Sequence, residues 1–534
     1  MSKTTHNCCS LKEVATLYDA MKKHDFYSHK VSNIRVISTR SSHIFLTGSY
    51  AYKIKRNLNH PQCNYQTLEK RKAYCVKECI INRRHSSGLY VDVLPIAFKD
   101  GQYSLLERGS TFNPQDVVEY AVKMRQFNQA LIFDELIRKG RLLPEKVDEL
   151  ALEVAKLHQH HSSSIIAPVR LKKSDLQEVI QPLTEIFDAI KHAHQLSGFS
   201  LPAQLTYLEN WVSNEWQQLR GTFLQRKKEG FVRHCHGNLH LRKAVLIKRK
   251  AVIFDAVEHD EKQRFIDVAS DIACAMMDFE RHHQEQLSQR FLNTYLIETG
   301  DYGLLKVLSF YKVYRALQRV KVASIKHSSS MHEEQRNQHL CDIETYTDLA
   351  DAYTGEHRQG SLILSHGSLR EGNDCIQQIA NSLRMVHVRG DAETIRLQCD
   401  NNTHQAPGAL GASQITHQLQ KRLFDMAQIA LAAGYYVIVD VQSLNTKVRD
   451  KFVEMAIAHR APFLILNFQN DQMKLRALVR EAISAESNVV HIKSSELFKD
   501  VVESDILVNN YPILNITDES ALPLGKIEQW LDNH

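Results

Sequence analysis

The stretch His236-Gly237-Asn238-Leu239-His240-Leu241-Arg242-Lys243, followed by two short apolar runs and then Asp255, decides how the first part of this chain is read. The runs at 244–247 and 251–254 flank the turn-like Lys248-Arg249-Lys250, a pattern that predicts a two-stranded hairpin. The rest of the sequence is read outward from there.

Upstream, a helical start near 11–22 gives way to β-rich runs at 34–39 and 43–55, with Gly48 marking a turn inside the second. Residues 67–84 are charged and free of Gly and Pro, as suits a helix laid across a small antiparallel sheet. Residues 91–98 and 103–108 read as two more strands around Lys99-Asp100-Gly101. From Pro144 the pattern turns helical, with Val147, Leu150, Val154 and Leu157 on one face. Helical segments also span 266–280 and 304–325, broken at Gly300-Asp301.

The polar segment 328–360 ends in His357-Arg358-Gln359-Gly360 and places a boundary near residue 357. Behind it, strand, loop and helix alternate: 362–365, 375–383 and 385–388, then a long helix carrying Ile415, Leu419, Leu423, Met426 and Ala430 on one face, with Gly434 as its stop. Strands at 436–440 and 463–467 follow. Such alternation predicts a largely parallel, doubly wound sheet.

At 534 residues the chain is too long for one hydrophobic core, and its 43% hydrophobic and 24% charged residues are those of a folded globular protein. The formal charge of +6 is scattered in short groups such as Lys70-Arg71-Lys72, Arg226-Lys227-Lys228 and Lys248-Arg249-Lys250, which reads as solvated surface rather than a nucleic-acid face. No apolar h-region or membrane-length stretch is present, so the expected location is the cytoplasm. The cysteines lack repeated C-x₂-C spacing and are read as reduced thiols rather than zinc ligands.

A loop, a hairpin and an Asp are also how kinase folds hold a base and a metal ligand around one phosphate. Further motifs stand in order around them: Phe45-Leu46-Thr47-Gly48 with Tyr52-Lys53-Ile54-Lys55, Thr67-Leu68-Glu69-Lys70-Arg71, Asn82-Arg83-Arg84, Lys123-Met124-Arg125, Ile266-Asp267-Val268-Ala269-Ser270-Asp271, and Tyr314-Arg315-Ala316. On these residues the first part resembles the aminoglycoside-phosphotransferase-like half of a bacterial two-domain family whose second half is a P-loop kinase. The resemblance implies an α/β and α+β multidomain chain. Residues 1–356 would form a protein-kinase-like domain, with a small antiparallel-sheet lobe over about 30–130 and a helical lobe over about 131–356. Residues 357–534 would form a doubly wound P-loop domain.

By that resemblance Lys53 contacts nucleotide phosphates, with Lys55 as the fallback, Glu78 is its helix partner, and Asp255 binds metal, so ATP and Mg²⁺ are the expected ligands of the first domain. Asp267 and Asp271 are read as structural carboxylates, and His236 as a catalytic-loop residue that braces more than it transfers protons. Two departures stand out. Asn238 occupies the position of the family's base Asp, and a neutral amide cannot accept a proton from an attacking hydroxyl. Lys243 occupies the position of the metal-ligand Asn, where an ammonium repels Mg²⁺ or takes its place and holds a phosphate directly.

The second site is altered as well. Gly367 and Gly372 keep the glycine spacing of a phosphate loop behind a strand, but Asn373 and Asp374 stand where Lys and Ser/Thr belong. Tight nucleotide binding is not expected there. Asp391 with Arg396, and Asp440 at a strand end, resemble the acidic residues and arginine of such kinases, and Arg476 and Arg480 resemble lid arginines.

Three functions follow from these readings. The chain is either a degenerate, pseudokinase-like protein of regulatory or scaffold type, or an active ATP-dependent phosphotransferase acting on a small hydroxylated substrate, or, least supported, a nucleic-acid binder. The partners implied are a nucleotide and an unidentified small molecule or protein. The sequence fixes neither substrate nor oligomeric state.

Overall fold

Strand alternation along residues 35–55 sets the first layer. In the computed structural model, β1 (Arg35–Ser38), β2 (Ser42–Leu46) and β3 (Tyr50–Lys55) join β4 (Tyr90–Lys99), β5 (Gln102–Leu105) and β6 (Val117–Arg125) in an antiparallel sheet ordered β1-β2-β3-β6-β4-β5. Residues 11–60, 63–86, 88–159, 177–355, 359–366, 372–403, 412–441, 446–468, 512–516 and 524–532 are described. Their contacts divide the chain into one unit of Met1–Val179 with Phe223–His282 and another of Ile180–Thr222 with His283–His534.

In the first unit, Tyr52 and Ile54 of β3 pack on one face of the sheet with Leu17 and Met21 of α1 (Leu11–Met21). Ala51 sits on the other face with Cys75 and Cys79 of α2 (Leu68–Arg83). The side-chain period of two therefore sends Lys53 and Lys55 toward α2. Helix α2 starts where Thr67 accepts a hydrogen bond from the Lys70 main chain. Strand β6 lies next to β3 at the centre of the sheet and was not expected from the sequence. Two of its three charges are paired from other elements: Arg71 donates to Glu119 at 2.8 Å, and Lys123 to Glu107 at 2.9 Å.

Below the sheet come α3 (Phe133–Arg138) and α4 (Pro144–Gln159), then β7 (Val232–His234), the hairpin β8 (Ala244–Ile247) and β9 (Lys250–Ile253), β10 (Phe265–Asp267) and α7 (Val268–Arg281). Asp267 caps α7 by accepting from the Ala269 main chain and is held by Arg226 at 2.8 Å and 2.9 Å.

The second unit holds most of α5 (Gln177–Ser197) and α6 (Leu205–Lys228), then α8 (Glu285–Thr299), α9 (Leu305–Ser329) and α10 (Glu333–Thr354). The polar segment read as a boundary is thus largely helix. In α10, Ile343, Tyr346, Thr347, Ala350 and Tyr353 are buried at helical spacing. The unit's parallel sheet comprises β11 (Leu362–His366), β12 (Val386–Arg389), β13 (Val437–Val441), β14 (Phe463–Phe468) and β15 (Ile513–Ile516) in the order β12-β13-β11-β14-β15. Helices α11 (Gly372–Ser382), α12 (Gly390–Thr403), α13 (Ala412–Ala432), α14 (Thr446–Ala458) and α15 (Leu524–Asp532) complete it. Ile363, Ile438 and Leu464 pack with Ile376 and Ile379 of α11 and Ile527 of α15 in its core. The fold is therefore mixed α/β, with an antiparallel kinase-like sheet and helices first and a parallel-sheet domain last. Among the described residues no helix is long and apolar enough to cross a membrane.

Strand β12 carries the second unit's most exacting burial. Asn293 of α8 accepts from the His387 main chain at 3.1 Å, and the Tyr302 hydroxyl donates to the His387 carbonyl at 2.7 Å. The His387 ring is fully buried, and neither of its nitrogens has a hydrogen-bond partner among the described residues. Burial, helped by Arg389, lowers its pKa to about 3. The unfolded chain therefore protonates this ring first as pH falls below the ordinary value of 6.5. Stability is predicted to drop by about 2 kcal/mol from this residue between pH 7 and pH 5. Urea unfolding of His387→Leu should show a correspondingly shallower pH dependence than wild type, and parallel profiles would refute the buried neutral ring.

Candidate functional site

Helix α2 presents Cys75, Glu78, Cys79 and Asn82 as one buried stripe toward the sheet, which puts the Glu78 carboxylate directly over β3. Lys53 Nζ donates to Glu78 Oε1 at 2.7 Å and Lys55 Nζ to Glu78 Oε2 at 2.6 Å. The chain of charges runs on at both ends. Lys55 Nζ reaches Glu258 Oε1 at 2.5 Å, where the Tyr65 hydroxyl also donates at 3.2 Å. At the other end Lys53 Nζ reaches Asp255 Oδ1 at 2.7 Å, and Lys243 Nζ pairs with Asp255 Oδ2. Three ammonium groups, of Lys243, Lys53 and Lys55, thus alternate with three carboxylates, of Asp255, Glu78 and Glu258.

Burial works against every charge in the inner part of this chain, and neighbouring opposite charges reverse its effect. Desolvation disfavours charged Lys53, yet Glu78, Glu258 and Tyr90 hold its pKa above that of a free lysine. Burial likewise opposes ionised Glu78 and Glu258, and the two lysines hold both below the usual carboxylate range, Glu258 far below. The outer end is more open: the Lys243 and Asp255 side chains are 21% and 25% exposed, against 1% or less for Lys55 and Glu78.

The loop that supplies Lys243 is tied down on both sides. The main-chain N–H groups of His236 and Gly237 donate to Asp271 at 2.6 Å and 3.0 Å, which gives Asp271 the loop-holding role expected of it. Gly237 takes φ +86°, and a Cβ there would fall 2.6 Å from the Gln263 carbonyl oxygen, so glycine is required. The His236 ring is fully buried, its Nε2 2.9 Å from the Phe254 carbonyl and its Nδ1 3.4 Å from the Asn238 amide nitrogen. Nε2 is then the protonated nitrogen, and the ring faces main chain on both sides. His236, named with the catalytic loop and read as a brace, thus has its ring set between the main-chain groups of Phe254 and Asn238.

The Val257 main chain donates to the His236 carbonyl at 3.0 Å and that of Phe254 to the Lys243 carbonyl at 2.9 Å, so Asn238 lies on a loop stitched to the Asp255 segment before and after it. Asp255 has φ +60°, a left-handed conformation uncommon outside glycine. The Tyr90 hydroxyl accepts from the Asp255 N–H at 3.1 Å and Asn82 Oδ1 from that of Ala256 at 2.9 Å, which holds this turn in place.

These residues do not fit a divalent ion in the expected place. Each Asp255 oxygen already accepts from an ammonium, and the neighbouring ligand position is Lys243 itself, which has no lone pair while charged. A divalent ion about 4 Å from one ammonium is repelled by roughly 8 kcal/mol at an effective dielectric near 20. Elsewhere in this unit, His158, Cys235 and Asp271 bring donor atoms within 4.8 Å of one another. There too Asp271 is committed to the loop N–H groups.

In the second unit, Arg389 and Asp440 stand side by side in the parallel register of β12 and β13, and Arg389 grips Asp391 through two hydrogen bonds of 3.0 Å and 2.5 Å. Burial opposes the Asp391 charge, and the Arg389 guanidinium nevertheless keeps its pKa low. Arg396, read with Asp391 from the sequence, is instead paired with Glu393 and donates to the Ile297 carbonyl. Gly372, Asn373 and Asp374 begin α11, where a phosphate-loop helix would start. Gly367, Arg476 and Arg480 lie outside the described residues.

The strand lysine paired with a helix glutamate, the braced loop and the Asp behind a hairpin form one connected site in the first unit. Residues 375–498 match the family model described as AAA domain, a match that begins just past Asp374. The chain is similar to uncharacterized proteins of Mycobacterium tuberculosis and Mycobacterium bovis, each 22% identical over 423 residues that cover 77% of this chain and 80% of the relative. Similar solved structures include a choline kinase from Cryptosporidium parvum Iowa II, with TM-score 0.38 and 11% identity over 64% of this chain and 98% of that one. An ADP-bound aminoglycoside phosphotransferase gives TM-score 0.32 and 12% identity over 64% and 99%.

Sequence reasoning missed Glu258, Tyr65, Tyr90 and Arg389. Only Arg389 carried a local signal, as a charge two residues from Asp391 at a strand end. The Lys–Glu core of the site makes a sharp prediction. Glu78→Gln leaves two buried ammonium groups without their shared carboxylate and should destabilise the protein by roughly 3–5 kcal/mol, read by urea unfolding. A loss below about 1 kcal/mol would mean that the chain of charges does not hold the sheet to α2.

Proposed function

We propose that this protein binds a nucleotide on a phosphotransferase framework and transfers its phosphate weakly or not at all, acting by binding rather than by turnover. The observation that carries this is Lys243 paired with Asp255 on a loop whose base position is Asn238. The framework for holding phosphate persists in Lys53, fixed by Glu78. What the transfer step needs is altered: Asn238 offers an amide where a base would take the attacking hydroxyl's proton, a loss worth about 10²–10⁴ in rate. The carboxylate that would carry Mg²⁺ is neutralised by lysines of the chain itself. In the second unit, Asn373 and Asp374 supply neither the cation nor the hydroxyl of a working phosphate loop, so the first unit is the better nucleotide site.

The test is phosphate transfer from labelled ATP to a panel of hydroxylated small molecules, with wild type, Asn238→Asp/Lys243→Asn and Asp255→Ala compared. Wild type should stay at background and the double variant should rise by about 10² or more. Wild-type turnover at ordinary kinase rates of about 1–100 s⁻¹, abolished in Asp255→Ala, would make the protein an active phosphotransferase and overturn the proposal.

A further inference from the structure

We infer that the nucleotide this site takes is the metal-free form, with the Lys243 ammonium standing in for the divalent ion, so that Mg²⁺ weakens binding instead of supporting it. The inference rests on the nucleotide-binding reading above and concerns which ionic form is bound.

It follows from the wiring of Asp255. Its two oxygens receive Lys53 and Lys243, one each, and both lysines are held by more than this contact. Lys53 is anchored by Glu78. Lys243 ends the short helical turn Leu241–Lys243, its main-chain N–H on the His240 carbonyl at 2.7 Å and its carbonyl under the Phe254 N–H at 2.9 Å. Displacing either ammonium to admit a metal strips a partly buried cation of its partner.

The open end therefore presents two fixed ammonium groups, of Lys53 and Lys243, on either side of one carboxylate. That arrangement suits a bare triphosphate, whose oxygens accept from ammonium groups as a metal would otherwise bind them. In Mg²⁺-bound nucleotide the same oxygens are already committed to an ion that the lysines repel. Replacement of a neutral ligand residue by lysine thus exchanges one phosphate-binding cation for another, and moves it from solution into the chain.

The experiment is calorimetric titration of the full-length protein with ATP, once in EDTA and once in excess Mg²⁺, for wild type, Lys243→Asn and Lys243→Met, each checked for folding by circular dichroism. Wild type should bind in EDTA and lose at least tenfold in affinity with Mg²⁺. Lys243→Met should lose the metal-free binding, which ties it to this site, and Lys243→Asn should bind better with Mg²⁺ than without. Wild-type binding that requires Mg²⁺, or metal-free binding undiminished in Lys243→Met, would overturn the inference while leaving nucleotide binding intact. No binding under either condition would overturn the nucleotide reading as well.

Discussion

The pairing of Lys243 with Asp255 is the constraint on which the rest of the first unit's site depends. It closes a chain of alternating charges that starts with Glu258 in the interior and passes through Lys55, Glu78 and Lys53 to the open end. Without Lys243 the chain would end on an Asp carboxylate with one oxygen available, the condition in which such a site accepts a metal ion. With it, the charges balance internally. Buried charges are tolerated only when paired in this way, and removing one partner costs far more than the pair contributes. Lys243 is therefore part of the ion network, where a lone exposed lysine would not be.

The framework around that network is tied together by main-chain contacts. Gly237 fits only as glycine, His236 and Asp271 hold the loop's main chain, and Tyr90 and Asn82 fix the left-handed turn at Asp255. Phosphoryl transfer depends mostly on positioning and charge, which is why the proposed function separates holding a phosphate from transferring it. The second unit repeats the theme in a different fold, where Arg389 of β12 neutralises Asp391 beside Asp440.

Much of this was legible in the sequence because local periodicities carried it. Alternation in Tyr52-Lys53-Ile54-Lys55 put both lysines on one face, while Glu78 as the partner of Lys53 was implied by the family resemblance alone. Strand and helix alternation after Ser361 gave the parallel sheet. The unread parts have physical reasons. β6 carries Glu119, Lys123 and Arg125, which spoil a hydrophobic pattern and are acceptable only because Arg71 and Glu107 satisfy two of them from other elements. α10 is polar outside a narrow buried stripe and reads as a linker until α9 is beside it. Glu258 joins the site through the path of the chain after the hairpin, which no local spacing encodes. His236, read from the sequence as a brace, rests its ring against the Phe254 carbonyl.

The most direct test of the central claim is a double-mutant cycle on stability across Lys243→Ala, Asp255→Ala and the pair, measured by urea unfolding of the full chain. Groups in one ion network couple, and a coupling energy on the order of 1–3 kcal/mol is predicted. Additivity within about 0.5 kcal/mol would show that Lys243 does not hold Asp255 in solution, and the account of a site closed by its own lysine would fall.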